Sequence, residues 1–195
     1  MTDEPFSEHL RETVVERRVV HRGHYMEFRQ DTVRDPDGGL HKRDIVAHPG
    51  AVAIVAIDEH DQVLLVRQWR AAIDRALLEI PAGTLDRLAG GVIESPDVAA
   101  PRELGEETGQ HAGRLRKLGH FWTAPGFATE DMHLYLAEDL TPIEGYAGPE
   151  PDERLDLVRM PWSEAVARCL DGGFNDAKTL LGILWVDRIR GRRDP

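Results

Sequence analysis

The sequence has a single cysteine, Cys169, among its 195 residues. One thiol cannot form an internal disulfide, and no cysteine or histidine spacing of the kind that holds zinc is present. No run of about 18 consecutive apolar residues occurs, so no membrane-spanning helix is expected. Residues 1–10 are polar and lack the apolar core of a signal peptide. We therefore predict a cytoplasmic protein in which Cys169 is a buried, small apolar side chain.

Positive charge is also in short supply. The chain carries 24 Lys and Arg residues against 35 Asp and Glu residues, for a formal net charge of −11. Proteins that bind a nucleic-acid backbone or an anionic membrane surface are usually basic, so neither partner is expected. The acidic balance leaves open that some carboxylates are clustered to hold a cation. The length and a hydrophobic content of 41% allow one domain with a sizeable core and a small appendage.

Strands dominate the first part of the chain. Segments 13–21, 25–33 and 40–47 are predicted as strands of a small antiparallel sheet, with a strong turn signal in Asp35-Pro36-Asp37-Gly38-Gly39. Segment 51–57 is a continuous apolar run, which is typical of a strand buried on both faces. Further strands are predicted at 62–69, 77–80, 115–121, 132–136 and 155–160.

Three helices are predicted. Ser95-Pro96-Asp97 is a helix start, with a Ser cap and Pro at the first helical position, and Gly109 is a plausible stop. Segments 162–170 and 176–188 have the apolar spacing of amphipathic helices. Early strands and late helices predict an α+β layered fold. We divide the chain into an N-terminal β region, 1–48, and a main domain, 49–195.

The helix after Ser95 carries a cluster of acids. Glu103, Glu106 and Glu107 are spaced i, i+3 and i+4, so their carboxylates share one face and repel one another. Interior Pro101 and Gly105 add penalties of about 3 and about 1 kcal/mol. A bound divalent cation would offset this instability, because hard cations prefer carboxylate oxygen. The alternative is a solvated acidic face in which Arg102 pairs with Glu106.

The surrounding residues extend this cluster into a longer motif. The matching positions are Gly83, Glu94, Arg102, Glu103, Leu104, Glu106, Glu107 and Gly109. This pattern resembles the signature of the Nudix hydrolase family, which implies an α/β/α sandwich with a mixed central sheet. Ten residues, 84–93, separate Gly83 from Glu94 where the family has five, and we interpret the excess as a loop insertion that leaves the helix intact. Gln110 stands where the family has an aliphatic residue.

The resemblance implies a role for each acid. Glu103 and Glu107 would ligate Mg²⁺ or Mn²⁺, with two or more ions per site, and Glu106 would be a further ligand or a water-mediated contact. The backbone carbonyl of Ala82 would complete the metal shell. Arg102 would orient a catalytic carboxylate through charge-assisted hydrogen bonds.

A further acid is implied on a late loop. Glu153 aligns best as the general base or an additional metal ligand, because the strand beginning at Leu155 follows it. Glu150 and Asp152 are alternatives, as is a merely solvated acidic loop.

Other segments are similar to the ADP-ribose pyrophosphatases within this family. The similarity covers residues 13–190 and rests on Arg67-Gln68-Trp69-Arg70, on Leu78-Glu79-Ile80-Pro81-Ala82-Gly83, on Pro125-Gly126-Phe127 followed by Glu130, and on 174–179. It implies substrate contacts by these residues: Arg67, Arg70, Glu79, Pro125, Gly126, Phe127 and Glu130.

Each of these residues also has a purely structural interpretation. In that interpretation, Pro125 and Gly126 would form a turn and Trp69 would pack in the core. Arg67 and Arg70 would be surface charges. Glu79 either binds a ribose hydroxyl or pairs with an Arg. Lys178 and Thr179 cap or support a helix.

The N-terminal strands resemble a region that these pyrophosphatases exchange between subunits. A homodimer with an exchanged N-terminal region is therefore expected, with Tyr25, Phe28 and Arg43, and also Lys42, as candidates for adenine contact.

The predicted activity is Mg²⁺-dependent hydrolysis of ADP-ribose to AMP and ribose 5-phosphate. The alternatives are hydrolysis of nucleotide sugars, of dinucleotides such as NADH or of oxidised nucleoside triphosphates, and a non-enzymatic nucleotide sensor.

Overall fold

A computed structural model describes residues 8–149 and 154–192. The described chain forms two compact units. The first contains the residues up to Pro49 together with Ala124–Glu130, and the second contains Gly50–Thr123 and the described residues from Asp131 onward. The loop 124–130 thus lies in the first unit, although it falls within the main domain predicted from the sequence.

The first unit is built on a three-stranded antiparallel sheet. Its strands are β1 (Thr13–Arg22), β2 (Glu27–Arg34) and β3 (Leu40–Ala47), in that order across the sheet. Asp35 closes the β2–β3 turn by accepting a hydrogen bond from the backbone N–H of Gly39 at 2.7 Å. The loop 124–130 is attached to β3, where the N–H of Val46 donates to the carbonyl of Phe127 at 2.8 Å. The predicted N-terminal sheet is confirmed.

The second unit is built on a seven-stranded sheet. Its strands are β4 (Ala51–Ile57), β5 (Gln62–Arg70), β6 (Arg75–Glu79), β7 (Ala82–Thr84), β8 (Gln110–Trp122), β9 (Asp131–Pro142) and β10 (Leu155–Pro161). Five of them run in the order β10-β5-β4-β9-β8, while β6 pairs with β5 and β7 pairs with β4. The β4–β9 pair is parallel and the others are antiparallel, so the sheet is mixed.

Helices cover both faces of this sheet. Alternate residues of β4 point to opposite sides: Val52 and Ile54 pack with Leu104 of α1 (Pro96–Thr108), while Val55 packs with Ile183 of α3 (Ala177–Arg190). A third helix, α2 (Trp162–Leu170), lies on the same side as α3. The uniform apolar character of β4 therefore has a direct cause, since both of its faces are buried. The predicted α/β/α layering is confirmed.

Helix α1 begins and ends where the sequence indicates. The Ser95 side chain accepts a hydrogen bond from the N–H of Asp97 at 3.4 Å, and Pro96 takes the first position. Gly109 ends the helix with φ +67°, and its N–H donates to the carbonyl of Gly105 at 2.9 Å. The inserted residues lie in a loop between β7 and α1 that returns on itself, with Arg87 bridged to Ile93. It leaves α1 unbroken, as expected.

Two expectations need correction, and one strand was not predicted. Trp69 is 58% exposed, so its interpretation as a core residue is wrong. Cys169 is only partly buried at the margin of the core, where burial raises the pKa of its thiol to about 11. Strand β7 was not predicted, because three residues are too few to show a period. None of the described helices has the length and apolar character needed to cross a membrane.

Candidate active site

The guanidinium of Arg102 stands at the centre of the acidic cluster on α1. It donates to both oxygens of Glu94, from Nε to Oε1 at 3.2 Å and from Nη2 to Oε2 at 2.7 Å. Its Nη1 contacts Glu106 at 2.8 Å and Glu103 at 2.9 Å. These partners raise the pKa of Arg102, led by the hydrogen bond to Glu94, and the same bond holds the pKa of Glu94 below its ordinary value. One cation thus orders three carboxylates.

Glu103 lies directly against the backbone of Gly83. A Cβ at position 83 would stand 2.0–2.2 Å from the Glu103 carboxylate atoms, closer than real Cβ contacts come. A glycine is therefore required for this close approach of α1 to strand β7. Glu103 is buried to 7% exposure, which removes it from bulk water.

Glu107, on the same helix face, is 2% exposed. Its Oε2 accepts a hydrogen bond from the N–H of Ala82 at 3.0 Å. Because both Glu103 and Glu107 are buried, the alternative of a fully solvated acidic face is wrong for these two residues. The Arg102–Glu106 pair that it also invoked is present at 2.8 Å.

The donor set suits a hard divalent cation. Three carboxylates, those of Glu103, Glu106 and Glu107, lie on one helix face beside backbone held close by Gly83, and Arg102 supplies one positive charge against them. Within residues 8–149 and 154–192, no three His, Cys, Asp or Glu side chains already converge as a metal-binding group. Since Arg102 holds Glu103 and Glu106, a cation would have to compete with this guanidinium for their oxygens.

Two residues that the sequence analysis did not single out complete the cluster. Asp86, in the inserted loop, lies 3.6 Å from Arg102 Nη2. Tyr146 donates from its hydroxyl to the carbonyl of Glu106 at 2.7 Å, and its ring packs over Gly109. Gly109 is a partial signal in the sequence for the packing of Tyr146. A Cβ at position 109 would come within 2.5 Å of the Tyr146 ring, so only a glycine leaves room for it. No comparable signal marks Asp86.

Arg70 and Glu79 form an ion pair at the adjoining end of the sheet. The Arg70 Nε donates to Glu79 Oε1 at 2.7 Å, and Nη2 donates to Oε2 at 2.6 Å. Pairing with an arginine is thus the interpretation of Glu79 that the structure supports, and a contact with ribose stays a prediction. Arg67 is exposed and lines a shallow cleft with Trp69 and Arg154.

The remaining predicted substrate residues belong to the first unit. Pro125, Gly126 and Phe127 are exposed on a turn closed by the N–H of Phe127 onto the carbonyl of Ala124 at 3.1 Å. Glu130 lies 3.6 Å from Nε2 of His48. Their roles toward a substrate stay predictions.

The four candidates for adenine contact also lie in this unit, where Lys42 donates to Gln30 Oε1 at 3.0 Å. Tyr25 packs edge-on against His48, with ring centroids 5.6 Å apart, and Phe28 is 40% exposed. Arg43 pairs with Glu12. Glu153, with its alternatives Glu150 and Asp152, lies outside the described residues.

Comparison with known proteins shows what the whole chain is similar to. The family model described as NUDIX domain matches residues 47–180. A methanol dehydrogenase activator of Bacillus methanolicus is 36% identical over 90% of this chain and 92% of its own. An ADP-ribose pyrophosphatase of Bacillus subtilis (strain 168) is 34% identical over 91% and 93%.

Two further similar proteins are named for the compounds on which they act. A GDP-mannose pyrophosphatase of Cronobacter sakazakii is 33% identical over 84% of this chain and 86% of its own. A solved structure described as an ADP compounds hydrolase has a TM-score of 0.79 and 25% identity, covering 96% of this chain and 99% of that one.

Proposed function

This chain belongs to the Nudix family, and we propose that it hydrolyses the diphosphate of ADP-ribose to AMP and ribose 5-phosphate with Mg²⁺ or Mn²⁺. The observation that carries the proposal is the close packing of Glu103 against Gly83, together with the hydrogen bond from the N–H of Ala82 to Glu107. A relative that is named for this substrate aligns over 91% of the chain, which favours ADP-ribose over other diphosphates.

Glu103 and Glu107 are the proposed principal metal ligands, with Glu106 and the Ala82 carbonyl as further ligands and with two or more ions per site. Both side chains are buried, and a bound divalent cation would offset the cost of placing two negative charges there. When bound, the ions would neutralise diphosphate charge and lower the pKa of a bound water.

The chain's own residues supply orientation and the proton acceptor. Arg102 donates hydrogen bonds to both oxygens of Glu94 and a further one to Glu106. It therefore orients the Glu106 carboxylate toward the proposed metal ions. Gly83, Glu94 and Gly109 serve this geometry structurally. Glu153 is the proposed general base, and Arg67, Arg70, Pro125, Gly126, Phe127 and Glu130 are proposed to bind substrate.

We also propose that the protein is a cytoplasmic homodimer that exchanges its N-terminal region, with Tyr25, Phe28 and Arg43 facing the adenosine. Val14, Val15 and Val20 of β1 are each about half exposed, which leaves apolar surface that a partner subunit would cover. Light scattering on the full chain tests the dimer: a monomer at micromolar concentration would refute it.

A panel of substrates ranked by kcat/KM tests the activity directly. ADP-ribose should rank first, with AMP and ribose 5-phosphate formed in equal amounts. GDP-mannose is the second candidate, because a relative aligned over 84% of the chain is named for it. A higher kcat/KM for GDP-mannose or NADH would replace the proposed substrate, and binding of ADP-ribose without turnover would favour a sensor.

A further inference from the structure

Glu79, the last residue of β6, is a buried carboxylate shared by two cations. Its side chain is 1% exposed. The Arg70 fork occupies both of its oxygens, at 2.7 and 2.6 Å, and the Lys178 ammonium also contacts Oε2. Lys178 comes from the first turn of α3, 99 residues away along the chain. Burial alone would raise the pKa of Glu79, but the hydrogen bond from Arg70 and the charge of Lys178 outweigh it and lower the pKa.

The Lys178 ammonium contacts two carboxylates of this cluster. Its side chain is 11% exposed, and its ammonium also lies 3.1 Å from Asp176 Oδ2. Asp176 caps α3 by accepting from the N–H of Thr179 at 3.0 Å. Asp176 therefore fixes Lys178 from one side while Glu79 holds it from the other.

Arg70 differs from Lys178 in having an open edge, which is the side of its guanidinium that carries Nη1. Its Nε and Nη2 are used on Glu79, and Nη1 has no hydrogen-bond partner among the residues the structure describes. The side chain is 37% exposed. The pKa of Arg70 is raised mainly by the hydrogen bond to Glu79 and also by the charge of Glu107, so its guanidinium is within electrostatic range of the acidic cluster.

We propose that Lys178 is a positioning residue for Arg70. By balancing the charge of Glu79 and occupying part of Oε2, Lys178 leaves the open edge of Arg70 free to bind the substrate's diphosphate. Without Lys178, Arg70 alone would satisfy Glu79 and would turn inward to the vacated part of Oε2. The proposal rests on the diphosphate hydrolysis proposed above.

A double-mutant cycle tests this relation, because Lys178 acts only through Arg70. The variants are Lys178→Met, Arg70→Ala and the double substitution, and the readout is the dissociation constant of a methylene analogue of ADP-ribose measured by calorimetry with Mg²⁺. Lys178→Met should weaken binding about tenfold, as when one charge-assisted hydrogen bond is lost. The same substitution in the Arg70→Ala background should have no further effect.

The matched control is Ile183→Val in the same helix, α3. Ile183 is fully buried in the apolar core with Val55 and so helps to hold α3 on the sheet through apolar packing. It should lower Tm while leaving the dissociation constant within twofold. In steady state, Lys178→Met should raise KM with little change in kcat, and Lys178→Arg should recover most of the binding.

Three results would overturn the proposal. They are an equal tenfold loss from Lys178→Met in the Arg70→Ala background, a lower Tm of Lys178→Met without a change in binding, and an Ile183→Val effect on binding as large as that of Lys178→Met. If Lys178→Met does not fold, Lys178→Gln enters the same cycle, because it still donates a hydrogen bond but has no charge. If the wild type binds the analogue but does not hydrolyse ADP-ribose, the proposed activity fails while the cycle still decides the role of Lys178.

Discussion

Replacing Gly83 with alanine should disable the site without unfolding the protein. The new Cβ would stand 2.0 Å from the nearest atom of the Glu103 carboxylate, and real Cβ contacts essentially never fall under 3.0 Å. The carboxylate must therefore move by at least the difference between these distances. The Glu103 carboxylate ends a flexible side chain, so it can move, but only by leaving its present position against β7 and its 2.9 Å contact with Arg102.

The magnitude follows from this displacement. A misplacement of about 1 Å in a reacting constellation costs about 100-fold in rate. The loss of one partly exposed ion pair costs about 1 kcal/mol or less. That corresponds to a fall in Tm of about 2–4 °C for a chain of this size. We thus expect kcat/KM for ADP-ribose to fall about 100-fold in a protein that remains folded.

The assay compares Gly83→Ala with Gly191→Ala by kcat/KM and by thermal unfolding. A Cβ at Gly191 meets only an ordinary contact, 3.5 Å from the carbonyl of Asp187, and should leave kcat/KM unchanged. A folded Gly83→Ala protein with kcat/KM within threefold of the wild type would refute the reasoning, because activity would then not depend on the position of Glu103 against β7.

Three further predictions concern single side chains. Glu107→Gln should lower kcat by about 100-fold or more and weaken Mg²⁺ binding in calorimetry, since a metal ligand is replaced by an amide; unchanged Mg²⁺ affinity would count against this ligand. The pKa of Glu94 is lowered in the folded protein, so its stabilising pair with Arg102 is complete above pH 4.5 and is lost as the pH falls through the lowered pKa. The Tm difference between wild type and Glu94→Gln should therefore shrink as the pH falls over that window. A Tm difference that stays constant with pH would contradict this. Cys169, with a thiol pKa of about 11, should react slowly with Ellman's reagent at pH 7.5 in the folded protein, and rapid labelling would contradict its burial.

Local patterns were enough to predict most of the fold. The apolar run of β4 indicated a strand covered on both faces, and α1 and α3 do cover it. The Ser95-Pro96 start and the Gly109 stop predicted α1 to the residue, because both depend on local backbone geometry. The exposure of Trp69 could not be predicted in this way, since burial depends on what packs over a strand and not on the strand itself.

The site was predictable where its residues share one helix. The spacing of Glu103, Glu106 and Glu107 alone places them together, and the pairing of Arg102 with Glu106, which belonged to the alternative interpretation, is present. The contacts that cross long stretches of sequence were not predictable: Lys178 meets Glu79 over 99 residues, and Tyr146 reaches the Glu106 carbonyl over 40. Such pairs depend on how the layers stack.

The central claim is a metal-dependent hydrolysis of ADP-ribose at the acids of α1. The most direct test is product release by the full chain, with AMP and ribose 5-phosphate resolved by ion-exchange chromatography, in Mg²⁺, in EDTA, and after Mg²⁺ is restored. The account predicts equimolar products in Mg²⁺, none in EDTA, recovery on adding Mg²⁺ back, and a loss of about 100-fold in Glu107→Gln. Turnover that persists in EDTA, or a Glu107→Gln protein as active as the wild type, would contradict it.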